Sequence, residues 1–217
     1  TLGSGELTVS AEGTATAGMK AKLELRGEHM HASFDGTAGI SQEGANAKGA
    51  VQLSTDDIEP WLMTTGMSFP GIGFGLPVEL TAQADYASNL LVLGGIEGAL
   101  GEVAIAGDLN ANLEQGLPHL TGALVIDQFT LDPFAATVLG ADALAGEGGN
   151  WSKTPFSDKV SLPFVADIDL SAATLSAGTL DLFDATLGLR LDEDGLRIEG
   201  LKAGLAGGVL TGQAALK

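Results

Sequence analysis

Apolar and polar residues alternate along most of this chain, and the alternation is clearest near its C-terminal end. Leu187, Leu189 and Leu191 are followed by Asp192, Glu193, Asp194 and Gly195, then by Leu196 and Ile198. Side chains of a strand alternate between its faces with period two, so each apolar group shares a face. A four-residue loop ending in glycine predicts a hairpin in which Leu191 pairs with Leu196 and Leu189 with Ile198. Gly188, Arg190, Arg197 and Glu199 then occupy the opposite face. A second hairpin follows, with Leu201, Ala203 and Leu205 leading into a two-residue turn at Gly207 and Gly208. That turn sets Leu210 opposite Leu205, and Leu210, Gly212, Ala214 and Leu216 continue the apolar face.

The same period recurs at Leu76, Val78 and Leu80; at Val103, Ile105, Gly107 and Leu109; at Leu120, Gly122, Leu124 and Ile126; and at Phe164, Ala166, Ile168 and Leu170. It is fainter at Leu7 and Val9, Leu23 and Leu25, Ala32 and Phe34, and Val51 and Leu53. Glycine, Asn, Asp and Ser punctuate these segments at roughly 8–12 residue spacing, the mark of an all-β protein. Two short helices interrupt the strands. Asp132 followed by Pro133 and closed by Gly140 has an N-cap, a proline at the first turn and a glycine stop, and Glu59, Pro60 and Gly66 repeat that plan. The two helical segments also expose a repeat: residues 51–61 align without gaps on 124–134, at an offset of 73. A looser match at an offset of 105 sets Leu91, Leu93, Gly95 and Ile96 against Leu196, Ile198, Gly200 and Leu201. The expected fold is therefore an elongated, repetitive, antiparallel β array, an open and curled β-groove with two short helices. Residues 1–139 form its repeated modules, 140–163 a connection and 164–217 a C-terminal meander, all within one continuous piece of a longer protein.

Composition narrows the function. Ten Lys and Arg against 28 Asp and Glu leave a net charge of −18 across 217 residues. Such a chain repels the phosphate backbone of nucleic acids and anionic membrane surfaces alike. It is nonetheless built to fold, with 45% hydrophobic and only 18% charged residues and a mean hydropathy of +0.25. Thirty-two glycines, twice the usual share of about 7%, point to tight turns and thinly filled strands. Cysteine is absent, which removes disulfides, thiolate nucleophiles and cysteine-bound zinc.

Few residues offer chemistry. His29 and His31, two apart, would share one strand face and supply at most two metal ligands, while His119 has no evident partner. The acidic loop 192–195 has the start of a calcium loop without its later bidentate Glu. The glycine clusters at 71–75 and 94–98 lack the Lys and following helix of a phosphate loop. Asn150, Trp151 and Ser152 spell a glycosylation sequon. None of these assembles a catalytic constellation, so neither an enzyme nor a cofactor is expected.

The order of motifs in the C-terminal part resembles the AsmA family. They are Trp151-Ser152-Lys153-Thr154-Pro155-Phe156, then Ala166-Asp167-Ile168-Asp169-Leu170-Ser171-Ala172, then the Leu187 hairpin, and then Gly207-Gly208-Val209-Leu210-Thr211-Gly212. Leu131-Asp132-Pro133-Phe134 resembles that family's element just upstream. The resemblance implies a periplasmic segment of a parent protein anchored in the inner membrane of a Gram-negative bacterium. Such proteins conduct phospholipid toward the outer membrane along a β-groove, without catalytic residues. The partners it implies are phospholipid acyl chains, with room for a protein partner in the envelope. The expected lining is Val103, Ile105, Leu124, Ile126, Ile168, Leu170, Leu187, Leu189, Leu191, Leu196, Ile198, Leu201, Leu205 and Leu210. Alternation fits equally a closed, dry core in a non-catalytic assembly module for outer-membrane biogenesis. In either case the terminal strands, near 7–11 and 209–216, invite edge-to-edge self-association.

Overall fold

A computed structural model describes residues 4–42, 44–60, 75–114, 116–131, 164–192 and 195–216. Twelve strands form one sheet in sequence order, with β1 and β12 as its two edges. They are β1 (Gly5–Thr14), β2 (Gly18–Gly27), β3 (Met30–Ser41), β4 (Gly44–Thr55), β5 (Val78–Ala87) and β6 (Leu90–Leu100). Then come β7 (Val103–Asn112), β8 (His119–Thr130), β9 (Val165–Ala177), β10 (Leu180–Asp192), β11 (Gly195–Leu205) and β12 (Gly208–Leu216). At about 4.8 Å per strand, the sheet runs on the order of 50 Å from edge to edge. The sheet is open and curled, as the alternation predicts.

One junction departs from the expected antiparallel array. β8 and β9 run parallel, from His119 beside Val165 to Thr130 beside Ser176. Parallel neighbours need a crossover of a dozen or more residues to bring the chain back to its starting end. The long connection expected at 140–163 falls in that crossover and outside the described residues. Most of the two predicted helices also lies outside them; Glu59, Pro60 and Leu131, at the described margins, are helical.

The hairpin of β10 and β11 has the predicted register, Leu191 on Leu196 and Leu189 on Ile198. Its strands reach further than expected, because Asp192 and Gly195 also pair and shorten the loop to two residues. The next turn is Ala206–Gly207, not Gly207–Gly208: both turn residues have positive φ, 49° and 81°. Leu210 therefore faces Ala203, and Leu205 faces Gly208. The slip from the expected register is two residues, so every side chain keeps its face.

The 105-residue repeat is structural. β6 and β11 begin and end at that offset, and so do the starts of β7 and β12. Each pair carries a one-residue bulge at the same place, between Leu93 and Ile96 and between Ile198 and Leu201. Gly95 and Gly200 sit in these bulges, each at φ 59°. Such a bulge reverses the alternation, which keeps Ile198 and Leu201 on one face although they are three residues apart.

A charge-free apolar face as the candidate site

Following the strand registers across the sheet traces continuous apolar rows. One passes through Leu7, Leu25, Ala32, Leu53 and Leu80 and continues through Gly98, Ile105, Ile126, Ala172 and Ala185. Another joins Leu93, Leu109, Gly122, Ile168, Leu189, Ile198 and Ala214. Among the described strand residues, no Asp, Glu, Lys or Arg occupies this face on any of the twelve strands. Every strand charge lies on the other side. In a chain this rich in carboxylates, such separation marks one face for contact with something apolar.

Burial divides that face. The fourteen residues named from sequence all lie on it and join a single cluster of β7 to β12. Leu187, Leu189, Leu191, Leu170, Ile126 and Ile198 are buried, and Leu196 is 0% exposed. Val103, Ile105, Leu124, Ile168, Leu201, Leu205 and Leu210 pack against them, partly buried. This part is the more buried end of the face, with Leu196 fully enclosed. At the other end the same face is open: Leu7 is 60%, Val9 59%, Leu23 39% and Ile40 59% exposed. None of these four was placed in the lining from sequence, although Leu7, Val9 and Leu23 had shown the alternation weakly. Their neighbours explain the faintness. Ala11, Gly13, Ala21, Ala32, Gly36, Ala38, Ala47 and Gly49 fill the apolar face of β1 to β4, giving period two without bulk. Gly36 and Gly49 face each other, their backbones too close for any side chain.

The polar face is tied together by ion pairs. Lys22 meets Asp35 at 2.5 Å, Arg26 meets Glu24 at 2.5 Å and Lys48 meets Asp85 at 2.7 Å. Arg190 reaches Asp167 at 2.6 Å and Asp169 at 3.2 Å, and Arg197 pairs with Asp192. A hydrogen bond to Asp35 raises the Lys22 ammonium above its ordinary range, and Asp85 does the same for Lys48. The Glu24 carboxyl is held below its ordinary range, first by Arg26 and then by His31.

The metal and loop candidates resolve into such contacts. His29 lies in the turn before β3, with Nδ1 3.2 Å from Asp56 Oδ2, whereas His31 lies on the polar face with Nε2 3.0 Å from Glu24 Oε1. The two histidines do not converge. Among the described residues no group of three His, Cys, Asp or Glu side chains is placed to hold a metal ion, and no helix is long and apolar enough to cross a membrane. His119 opens β8 beside Asn112. A depression of about 320 Å³ between β3 and β5, edged by Asp35, Gln52, Thr81 and Gln83, lies on the polar face. The 71–74 glycines, the 150–152 sequon and the tip of the acidic loop lie outside the described residues.

Neither family models, nor curated proteins, nor solved structures yield a match to this chain.

Proposed function

We propose that this chain is a non-catalytic, lipid-handling segment of an AsmA-like periplasmic protein that shields phospholipid acyl chains on its apolar face. The observation that carries this reading is the charge-free face across twelve strands, left exposed over β1 to β3. Exposed apolar surface of this kind is costly in water and is relieved by acyl chains, whose head groups stay wet. The contact surface lies at the Leu7, Val9 and Leu23 end; the cluster around Leu196 serves as the more buried body that holds the sheet in shape. In the parent protein such a segment carries phospholipid between inner and outer membranes.

Native mass spectrometry of gently purified chain tests the reading directly, with co-purified phospholipid as the expected result. Leu23→Asp should stay folded and lose that lipid, because a carboxylate on an exposed face still reaches water. Thr8→Asp, on the opposite face of β1, should keep it. Equal lipid loading in the parent chain and Leu23→Asp would reject the open end as the contact surface. A second reading, a closed assembly module with a dry core, draws on the burial of Leu196 and Leu191. It requires that the purified chain carry no lipid at all.

A further inference from the structure

We infer that the outer edge of β12 is a docking site for one more antiparallel strand of the β8 kind, supplied by a partner polypeptide. The inference stands apart from the acyl-chain reading above and starts from the internal repeat. β5, β6 and β7 match β10, β11 and β12 rung for rung at the offset of 105. Thr81 faces Glu97 and Gln83 faces Gly94 across one bulge; Thr186 faces Lys202 and Gly188 faces Glu199 across its counterpart. On the next pair of strands, Leu93 and Ile96 face Leu109 and Gly107, as Ile198 and Leu201 face Ala214 and Gly212. In the first unit the strand that follows is β8, antiparallel to β7 and without a charged residue from Leu120 to Ile126. In the second unit the same position, beside β12, is the open edge of the sheet.

Gly212 tells what fits there. Its counterpart Gly107 is held to glycine by β8: a Cβ on Gly107 would strike the Ala123 oxygen, and the three atoms nearest to it all belong to β8. Gly212 meets no such constraint within this chain. Its φ lies outside the left-handed region, and a Cβ on it would meet nothing within 4 Å. Glycine inside a strand weakens it and marks a place where another backbone comes close. The repeat identifies that backbone as a strand lying on β12 as β8 lies on β7, with a large apolar residue opposite Gly212 as Leu124 lies opposite Gly107. The fit is reciprocal. A Cβ on Gly122 of β8 would strike the Asp108 oxygen of β7, and Gln213 stands in the place of Asp108 on β12. β12 carries no charge to oppose the incoming strand. Ladder hydrogen bonds along its edge supply affinity, and the paired glycines set the register.

The test adds a synthetic peptide of residues 118–130, which spans β8, to the whole chain. The expected result is saturable binding of one peptide per chain, with hydrogen exchange slowed at alternate amides of β12 and unchanged at β1. Gly212→Val should leave the melting temperature of the free chain unchanged, because the new side chain has open space, and should weaken peptide binding at least tenfold. Gly122→Val in the peptide should weaken it as much, whereas Thr211→Val, on the opposite face of β12, should keep full affinity. Absence of saturable binding, protection confined to β1, undiminished affinity in either glycine variant or an equal loss in Thr211→Val overturns the inference. So does a peptide that fails to bind while Gly212→Val abolishes association of the chain with itself, which would assign the edge to a second copy.

Discussion

Single residues decide how closely neighbouring strands approach, and glycine acts here in two distinct ways. Gly107 and Gly122 lie on adjacent strands at φ 145° and 154°. A Cβ built on either would collide with a backbone oxygen of the neighbouring strand, Ala123 for Gly107 and Asp108 for Gly122. At such sites a side chain is excluded by both conformation and space. Gly107→Ala should therefore cost about 2–4 kcal/mol in denaturant unfolding. Gly95 is different. Its φ of 59° lies in the left-handed region that Asn tolerates, its Cβ would meet nothing, and its N–H donates to Asp108 Oδ1 at 2.8 Å. Gly95→Asn should fall within about 1 kcal/mol of the parent. The pair of measurements separates a close strand approach that needs glycine from a bulge that needs only a left-handed residue. The exposed ion pairs add a pH signature of known sign. Glu24's lowered carboxyl contributes stability at neutral pH that is lost as acid titrates it; the raised Lys22 and Lys48 contribute stability that is lost as alkali deprotonates them.

Elements differ in how much they bury, and this decides both stability and what could be read in advance. Leu196→Ala, in a fully sealed position, should cost about 3–5 kcal/mol, whereas Leu7→Ala on exposed β1 should stay under about 0.5 kcal/mol. Leu189→Asp buries an unpaired charge in the same buried cluster and should unfold the C-terminal strands. Native-state hydrogen exchange should accordingly run slowest in β9 to β11 and fastest in β1 and β2; uniform protection would contradict a face that opens toward one end. The strands legible from sequence were those where bulk and period coincide, above all β10 from Leu187 onward and β11. The first half of β10 was hidden because Asp184, at φ 49°, interrupts the alternation between Leu182 and Ala185. The parallel β8–β9 junction was illegible, since periodicity fixes which face a side chain takes but not which way its strand runs. The open end was missed for a related reason: alternation of Ala and Gly with Thr and Lys has the right period and almost no amplitude.

At the scale of the whole molecule, two unlike edges bound the sheet, and their charges favour some edge pairings over others. An unpaired edge strand is a template for another. An antiparallel pairing of β1 with a second β1 centred on Val9 would set Glu6 against Glu12 at two places, and like charges directly opposite are destabilising. Strand β12 carries Val209, Thr211, Gln213 and Ala215 on its polar face and no charge, so β12 can accept β1 without repulsion. Contact between β12 of one copy and β1 of the next is head-to-tail and leaves both outer edges free, so it can be repeated from copy to copy. It also carries the charge-free face onward into the neighbouring copy. Sedimentation at rising concentration should show a progressive series of species in place of a single dimer. Glu12→Lys gives the opposite expectation: two Glu–Lys pairs would replace two repulsions at a β1–β1 interface, and a closed dimer should appear at the expense of the series. A chain that stays monomeric at every concentration, or one in which Glu12→Lys leaves the distribution unchanged, would show that these edges do not govern association.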